Sequence, residues 1–136
     1  MSLFVDTSVW SLAFRRDVRP DSPEVDALAE ALRRGDLVVS TGLVLQELLQ
    51  GFTGPRARDA IIERFSAIGL VMPDRQDHVE AAGIRNTCRR GGVQAGTVDA
   101  LLAQLAIRHD LVMLTTDADF THIARHVPLR LWQAGG

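Results

Sequence analysis

The sequence predicts an α/β domain with a mostly parallel central sheet of about five short strands, flanked by helices. Three observations predict it. Short apolar runs alternate along the chain with longer segments of helical periodicity. The runs are continuously apolar rather than alternating, as strands covered on both faces require. The first of them ends at Asp6 and the fourth runs into Asp117, which places charge at strand carboxyl ends, where ligands gather in such folds.

Residues 3–6 form the first expected strand, and residues 8–16 the helix after it, with Val9, Trp10, Ala13 and Phe14 on its inner side. A loop over 19–23 ends in a helix start. There Ser22 is the N-cap and Pro23 takes the first helical position, where its missing N–H does no harm. Val25, Leu28, Ala29 and Leu32 keep the spacing of one amphipathic face, and Gly35 stops that helix. Residues 37–40 are the second strand. Thr41 then caps a helix whose apolar positions are Val44, Leu45, Leu48, Leu49 and Phe52. After a break over 51–55 comes a helix over 56–68, with Ile61, Ile62, Phe65 and Ile68 inside. Residues 70–72 are the third strand, ended by Pro73, and a helix covers 77–90. Thr97 caps a strongly apolar helix that reaches His109. Residues 111–115 are the fourth strand, 118–126 a short helix, and 129–132 the last strand. With no repeat, linker or low-complexity segment, residues 1–136 form a single domain.

The formal net charge is −2, from 17 acidic and 15 basic residues, which argues against gripping nucleic acid by bulk positive charge. All 15 basic residues are arginine, so mechanisms that need a lysine are excluded. The single cysteine, Cys88, cannot form an internal disulfide. The N-terminal apolar stretch is too short for a signal peptide and is cut by Asp6. No run approaches membrane-spanning length, so a cytoplasmic location without membrane contact is expected.

Four carboxylates border apolar segments, where charge is costly unless it is paired or coordinates a metal. They are Asp6, Glu47, Asp99 and Asp117, and few cations lie near them in sequence. A shared divalent cation is the economical explanation. Hard oxygen ligands select Mg²⁺ or Mn²⁺. Such an ion suits phosphodiester hydrolysis, because it activates water and offsets phosphoryl charge. Alternative carboxylate chemistries fit less well. A haloacid-dehalogenase-like phosphatase wants an acid where Ser8 stands, and it wants a lysine, as a receiver domain also does. A toprim-like site would use Asp117 and Asp119 but leave Asp6 and Asp99 without a task.

The opening M-S-L-F-V-D-T-S-V-W resembles that of PIN-domain ribonucleases, VapC-type toxins in particular. Leu45-Gln46-Glu47-Leu48 resembles their second acidic motif, and R-R-G-G-V-Q-A-G-T-V-D-A-L-L-A-Q-L-A their third. L-V-M-L-T-T-D-A-D-F resembles the fourth, and the order holds across nearly the whole chain. The resemblance implies a PIN-like fold and a metal-dependent endoribonuclease, the toxin of a toxin–antitoxin pair, cutting a structured RNA such as tRNA or rRNA. It implies Asp6, Glu47, Asp99 and Asp117 as the catalytic quartet, and Asp6, Asp99, Asp117 and Asp119 around Mg²⁺, with Mn²⁺ substituting. Thr7, Ser8 and Thr115 match hydroxyl residues that support the acids. Arg15, Arg16, Arg89 and Arg90 are candidates for RNA phosphates. A small VapB-like antitoxin and a second copy of the chain are the implied protein partners. The alternatives are an RNA-processing PIN nuclease outside such a pair, or a non-catalytic PIN-like scaffold. Loss of an acid would mark the scaffold, and none of the four is missing.

Overall fold

In the computed structural model, which describes residues 1–15 and 21–135, five strands form one sheet. They are β1 (Leu3–Val5), β2 (Val38–Ser40), β3 (Gly69–Leu70), β4 (Val112–Leu114) and β5 (Arg130–Leu131). Their order is β3-β2-β1-β4-β5, and every pairing is parallel, beyond the mostly parallel sheet expected. Leu3 registers with Val38 on one side and Val112 on the other, so β1 is the centre of the sheet. All three β1 side chains are buried, as a strand covered by helices on both faces requires.

Seven helices connect the strands among the described residues: α1 (Thr7–Phe14), α2 (Pro23–Arg34), α3 (Gly42–Gly51), α4 (Pro55–Ser66), α5 (Arg75–Arg90), α6 (Thr97–Arg108) and α7 (Ala118–Ala124). Ser22 caps α2 through its side chain, Pro23 stands in its first turn, and Gly35 ends it at a positive φ of 75°. Helix α6 buries Ala100, Leu101, Leu102, Ala103, Leu105 and Ala106, close to a core helix wrapped on most sides. Trp10 packs on Phe65 at 5.0 Å and on Phe14 at 6.0 Å between centroids, joining α1 to α4. No helix among the described residues is long and apolar enough to cross a membrane.

Several boundaries shift. Strand β3 covers Gly69–Leu70 instead of 70–72, and both its residues are exposed at the sheet edge. Helix α5 starts at Arg75, two residues early, because Asp74 and Asp77 satisfy each other's backbone N–H groups in a capping box. Asp77, at 1% exposure, also accepts a hydrogen bond from Gln104 at 3.3 Å and pairs with Arg108, both on α6. Thr97 is the first residue of α6 and not its cap; that position belongs to Gly96. Thr41 occupies the α3 cap position, but its buried hydroxyl finds no hydrogen-bond partner among the described residues. Ala13, Ala29 and Ile62 face solvent instead of the core, where Ala31 and Ile61 are buried.

Strands β1, β2 and β3 build the sheet outward to one side, and the chain then returns to add β4 and β5 on the other. The reversal opens a crevice at the carboxyl ends of β1 and β4, the place where open α/β sheets take their ligands.

Candidate functional site

Asp6 leaves β1 into this crevice and caps α1. It is only 4% exposed. Its backbone N–H donates to the Leu114 carbonyl at 3.2 Å, tying the ends of β1 and β4 together. Oδ1 accepts from the Ser8 amide at 3.2 Å and from the Ser8 hydroxyl at 2.7 Å. Oδ2 accepts from the Thr115 hydroxyl at 2.8 Å. Those hydroxyls are themselves fixed, because Ser8 Oγ accepts from the Thr116 amide at 2.9 Å and Thr115 Oγ1 from the Asp117 amide at 3.0 Å. Each hydroxyl thus accepts from a backbone amide and donates to a different Asp6 oxygen, and the two hydroxyl oxygens lie 3.3 Å apart. Burial pushes the Asp6 carboxyl up, the Ser8, Thr115 and Val9 hydrogen bonds oppose the rise, and the Asp117 charge adds to it. The buried Ser40 hydroxyl donates to the Val5 carbonyl at 2.9 Å, holding the backbone beside Asp6 from β2.

Glu47 lies exposed on α3, where its Oε1 accepts from the Thr7 hydroxyl at 3.0 Å. Asp99 is in the first turn of α6. Burial, followed by the negative charges of Asp117, Asp119, Asp6 and Glu47, pushes its carboxyl up to about 6. Asp117 caps α7, its side chain accepting from the Asp119 amide at 2.9 Å. Carboxylate oxygens of Asp99, Asp117 and Asp119 all lie within 4.8 Å of one another.

Five acids from four separate segments thus share one neighbourhood. Among the described residues, the ion pairs lie elsewhere and none involves these five. Carboxylates so crowded repel one another unless a cation joins them. Oxygen donors only, several of them anionic, fit a hard divalent ion such as Mg²⁺ or Mn²⁺.

The arginines are less concentrated. Arg15 is exposed at the far end of α1 from Asp6, while Arg16 lies outside the described residues. Arg89 and Arg90 are exposed on the last turn of α5. Gly92, Val93 and Gln94, in the loop that follows, line a cavity with Asp119 and His122. Sequence reading missed Arg85, whose Nε donates to the Ala95 carbonyl at 2.7 Å and so pins the loop leading to Asp99. No local pattern announces a side chain that reaches a carbonyl ten residues on.

Residues 3–126 match the PIN domain family. The chain is 32% identical over 127 residues to Ribonuclease VapC11 of Mycobacterium tuberculosis, covering 90% of this chain and 92% of that protein. Among solved structures it resembles VapBC-1 from nontypeable Haemophilus influenzae, with a TM-score of 0.74, 20% identity and 98% of each chain covered. It also resembles VapC20 of Mycobacterium tuberculosis, a sarcin-ricin loop cleaving toxin, with a TM-score of 0.65 and 25% identity, over 95% of this chain and 99% of that one. The acids at the sheet's switch point, the all-parallel strand order and the match over nearly the full length agree: the chain belongs to the PIN-domain family.

Proposed function

We propose that the protein is a Mg²⁺- or Mn²⁺-dependent endoribonuclease, the toxin of a VapBC-type toxin–antitoxin pair, hydrolysing a phosphodiester in an exposed loop of a structured RNA. The observation that carries this reading is the convergence of five carboxylates with no cationic partner among the described residues. The VapC ribonuclease relative supports RNA hydrolysis, and the sarcin-ricin loop cleaving neighbour supports a structured target.

Asp6, Asp99, Asp117 and Asp119 would hold the ion. Bound there, a divalent cation supplies Lewis acidity, which makes water a better nucleophile and offsets charge developing on the phosphoryl oxygens. The protein's own groups do the rest. Ser8 and Thr115 keep both Asp6 oxygens aimed. Thr7 holds Glu47 by Oε1, leaving Oε2 to take a proton from the attacking water. Exposed Arg89 and Arg90, and Arg15 farther along α1, are available to RNA phosphates.

Purified protein should cleave RNA with Mg²⁺ or Mn²⁺ and not with EDTA, and Asp6→Asn or Asp99→Asn should abolish cleavage. Cleavage that survives chelation, or that persists in both variants, overturns the metal mechanism. Copurification from the native host should yield a small antitoxin. Its absence would remove the toxin assignment and leave the nuclease standing.

A further inference from the structure

On the β5 side of Asp117 lies an open cavity of about 330 Å³, lined by Glu24, Thr116, Asp117, Thr121, Trp132 and Gln133 among others. It shares Asp117 with the acidic cluster, so the cavity adjoins the acids.

Its lining suits a base better than a phosphate. Trp132 is half-buried and lines both this cavity and a second one shared with Leu3 and Ala27. Trp10 pairs with Phe14 and Phe65, and Phe14 with Phe52, while Trp132 joins none of these ring pairs among the described residues. Its backbone N–H donates to the Met113 carbonyl at 2.9 Å, which fixes the residue against β4 just before the strand runs into the acids. Single-stranded RNA bases are commonly received by stacking on such a ring. Glu24 sits in the first turn of α2, the helix that Ser22 caps through the Val25 amide, and its negative charge disfavours a phosphate. A carboxylate accepts hydrogen bonds at two oxygens. Guanine is the one common RNA base whose Watson–Crick edge offers two adjacent N–H donors, at N1 and N2.

We propose that this cavity receives the base of the nucleotide next to the scissile phosphodiester, stacked on Trp132, and that Glu24 selects guanine. The proposal rests on the nuclease reading for its substrate, and its test separates the two. The probe is a short oligouridylate carrying one central guanosine, compared with the same chain carrying adenosine. Both are titrated into the full-length Asp99→Asn protein, which does not cut under that reading. Trp10, at 1% exposure, is shielded, so base-dependent quenching of tryptophan emission reports Trp132. The guanosine chain should quench and should bind about tenfold tighter than the adenosine chain, as bidentate base contacts do. Adding Glu24→Gln should abolish that preference while keeping the quenching, and Trp132→Phe should remove the quenching while the protein stays folded. Equal binding of the two chains, a preference that survives Glu24→Gln, or quenching that survives Trp132→Phe overturns the proposal. If wild-type protein cuts RNA in a metal-dependent way but no quenching occurs, the pocket falls and the nuclease stands. If nothing is cut but guanosine-dependent quenching persists, the nuclease reading falls and the base pocket stands.

Discussion

Ser8 and Thr115, 107 positions apart, grip opposite oxygens of the Asp6 carboxylate and are themselves fixed by consecutive backbone amides, those of Thr116 and Asp117. Asp6 therefore cannot turn without breaking its contacts to Ser8 on α1 and to Thr115 at the end of β4. Groups that orient a metal-binding side chain commonly contribute about 10–100-fold in metal affinity or activity. Thr115→Val keeps the shape but removes the donor to Oδ2 and the acceptor for the Asp117 amide. It should lower RNA cleavage by about that factor at limiting metal, with partial recovery at saturating metal. A metal titration of cleavage rate checks this, and an unchanged titration curve would count against the orienting role.

Asp99 gives a pH signature in the metal-free protein. Its carboxyl is raised from 3.8 to about 6 in the fold, so the folded state holds a proton there that the unfolded chain releases. Stability from this group is therefore greatest at low pH and declines as pH rises from about 4 through 6. In EDTA, Asp99→Asn should melt higher than wild type at pH 7.5, with the gap closing toward pH 4. Thermal melts across that range test it. Saturating Mg²⁺ should reverse the order at pH 7.5, because a bound ion favours the protein with the full set of acids.

Asp119 is exposed, yet one of its oxygens lies within 4.8 Å of carboxylate oxygens of Asp99 and Asp117. Asp119→Asn should raise the Mg²⁺ concentration needed for half-maximal cleavage and leave the rate at saturating metal within about threefold of wild type, as expected for one oxygen ligand among several. A loss of maximal rate at every metal concentration would instead assign Asp119 to the chemical step.

Arg108 ties α6 to the buried Asp77 at the start of α5. Burial alone would raise the Asp77 carboxyl, but the Asp74 amide, Gln104 and Arg108 outweigh it and hold the group below its usual value. Arg108→Met leaves that charge inside with fewer partners and should cost about 2 kcal/mol, less than a fully buried pair because Arg108 is 41% exposed. Urea unfolding at pH 7 measures this. The wild-type advantage should shrink as the pH falls below 4, where Asp77 takes up a proton and its lowered value no longer stabilises the fold.

The central strands and the acids were legible because their signals are local. Continuous apolar runs mark β1, β2 and β4, and an acid at a run's end marks the crevice. The edge strands were less legible, since β3 and β5 have two residues each and little burial to pattern. Caps misled where the fold, and not the hydroxyl, sets the boundary. Thr97 looks like a cap, yet Gly96 holds that position, and Thr41 stands in place without bonding. Asp77 reads as an ordinary helix-start acid, and only the packing of α6 reveals it as buried. Arg85, Glu24 and Trp132 owe their places beside the site to loops and crossovers that no short motif encodes.

The register of β1 against β4 also governs when the protein acquires its chemistry. Leu3, Phe4 and Val5 pair with Val112, Met113 and Leu114, so the first strand to be made waits for more than a hundred residues before its second neighbour exists. Closing so long a loop is entropically expensive and slow relative to local structure. Asp6 gains Thr115 and the company of Asp117 in that same closing step. Until that pairing forms, Asp6 stands without Thr115 and Asp117 beside it, so the acids are assembled together with the longest-range pairing of the sheet.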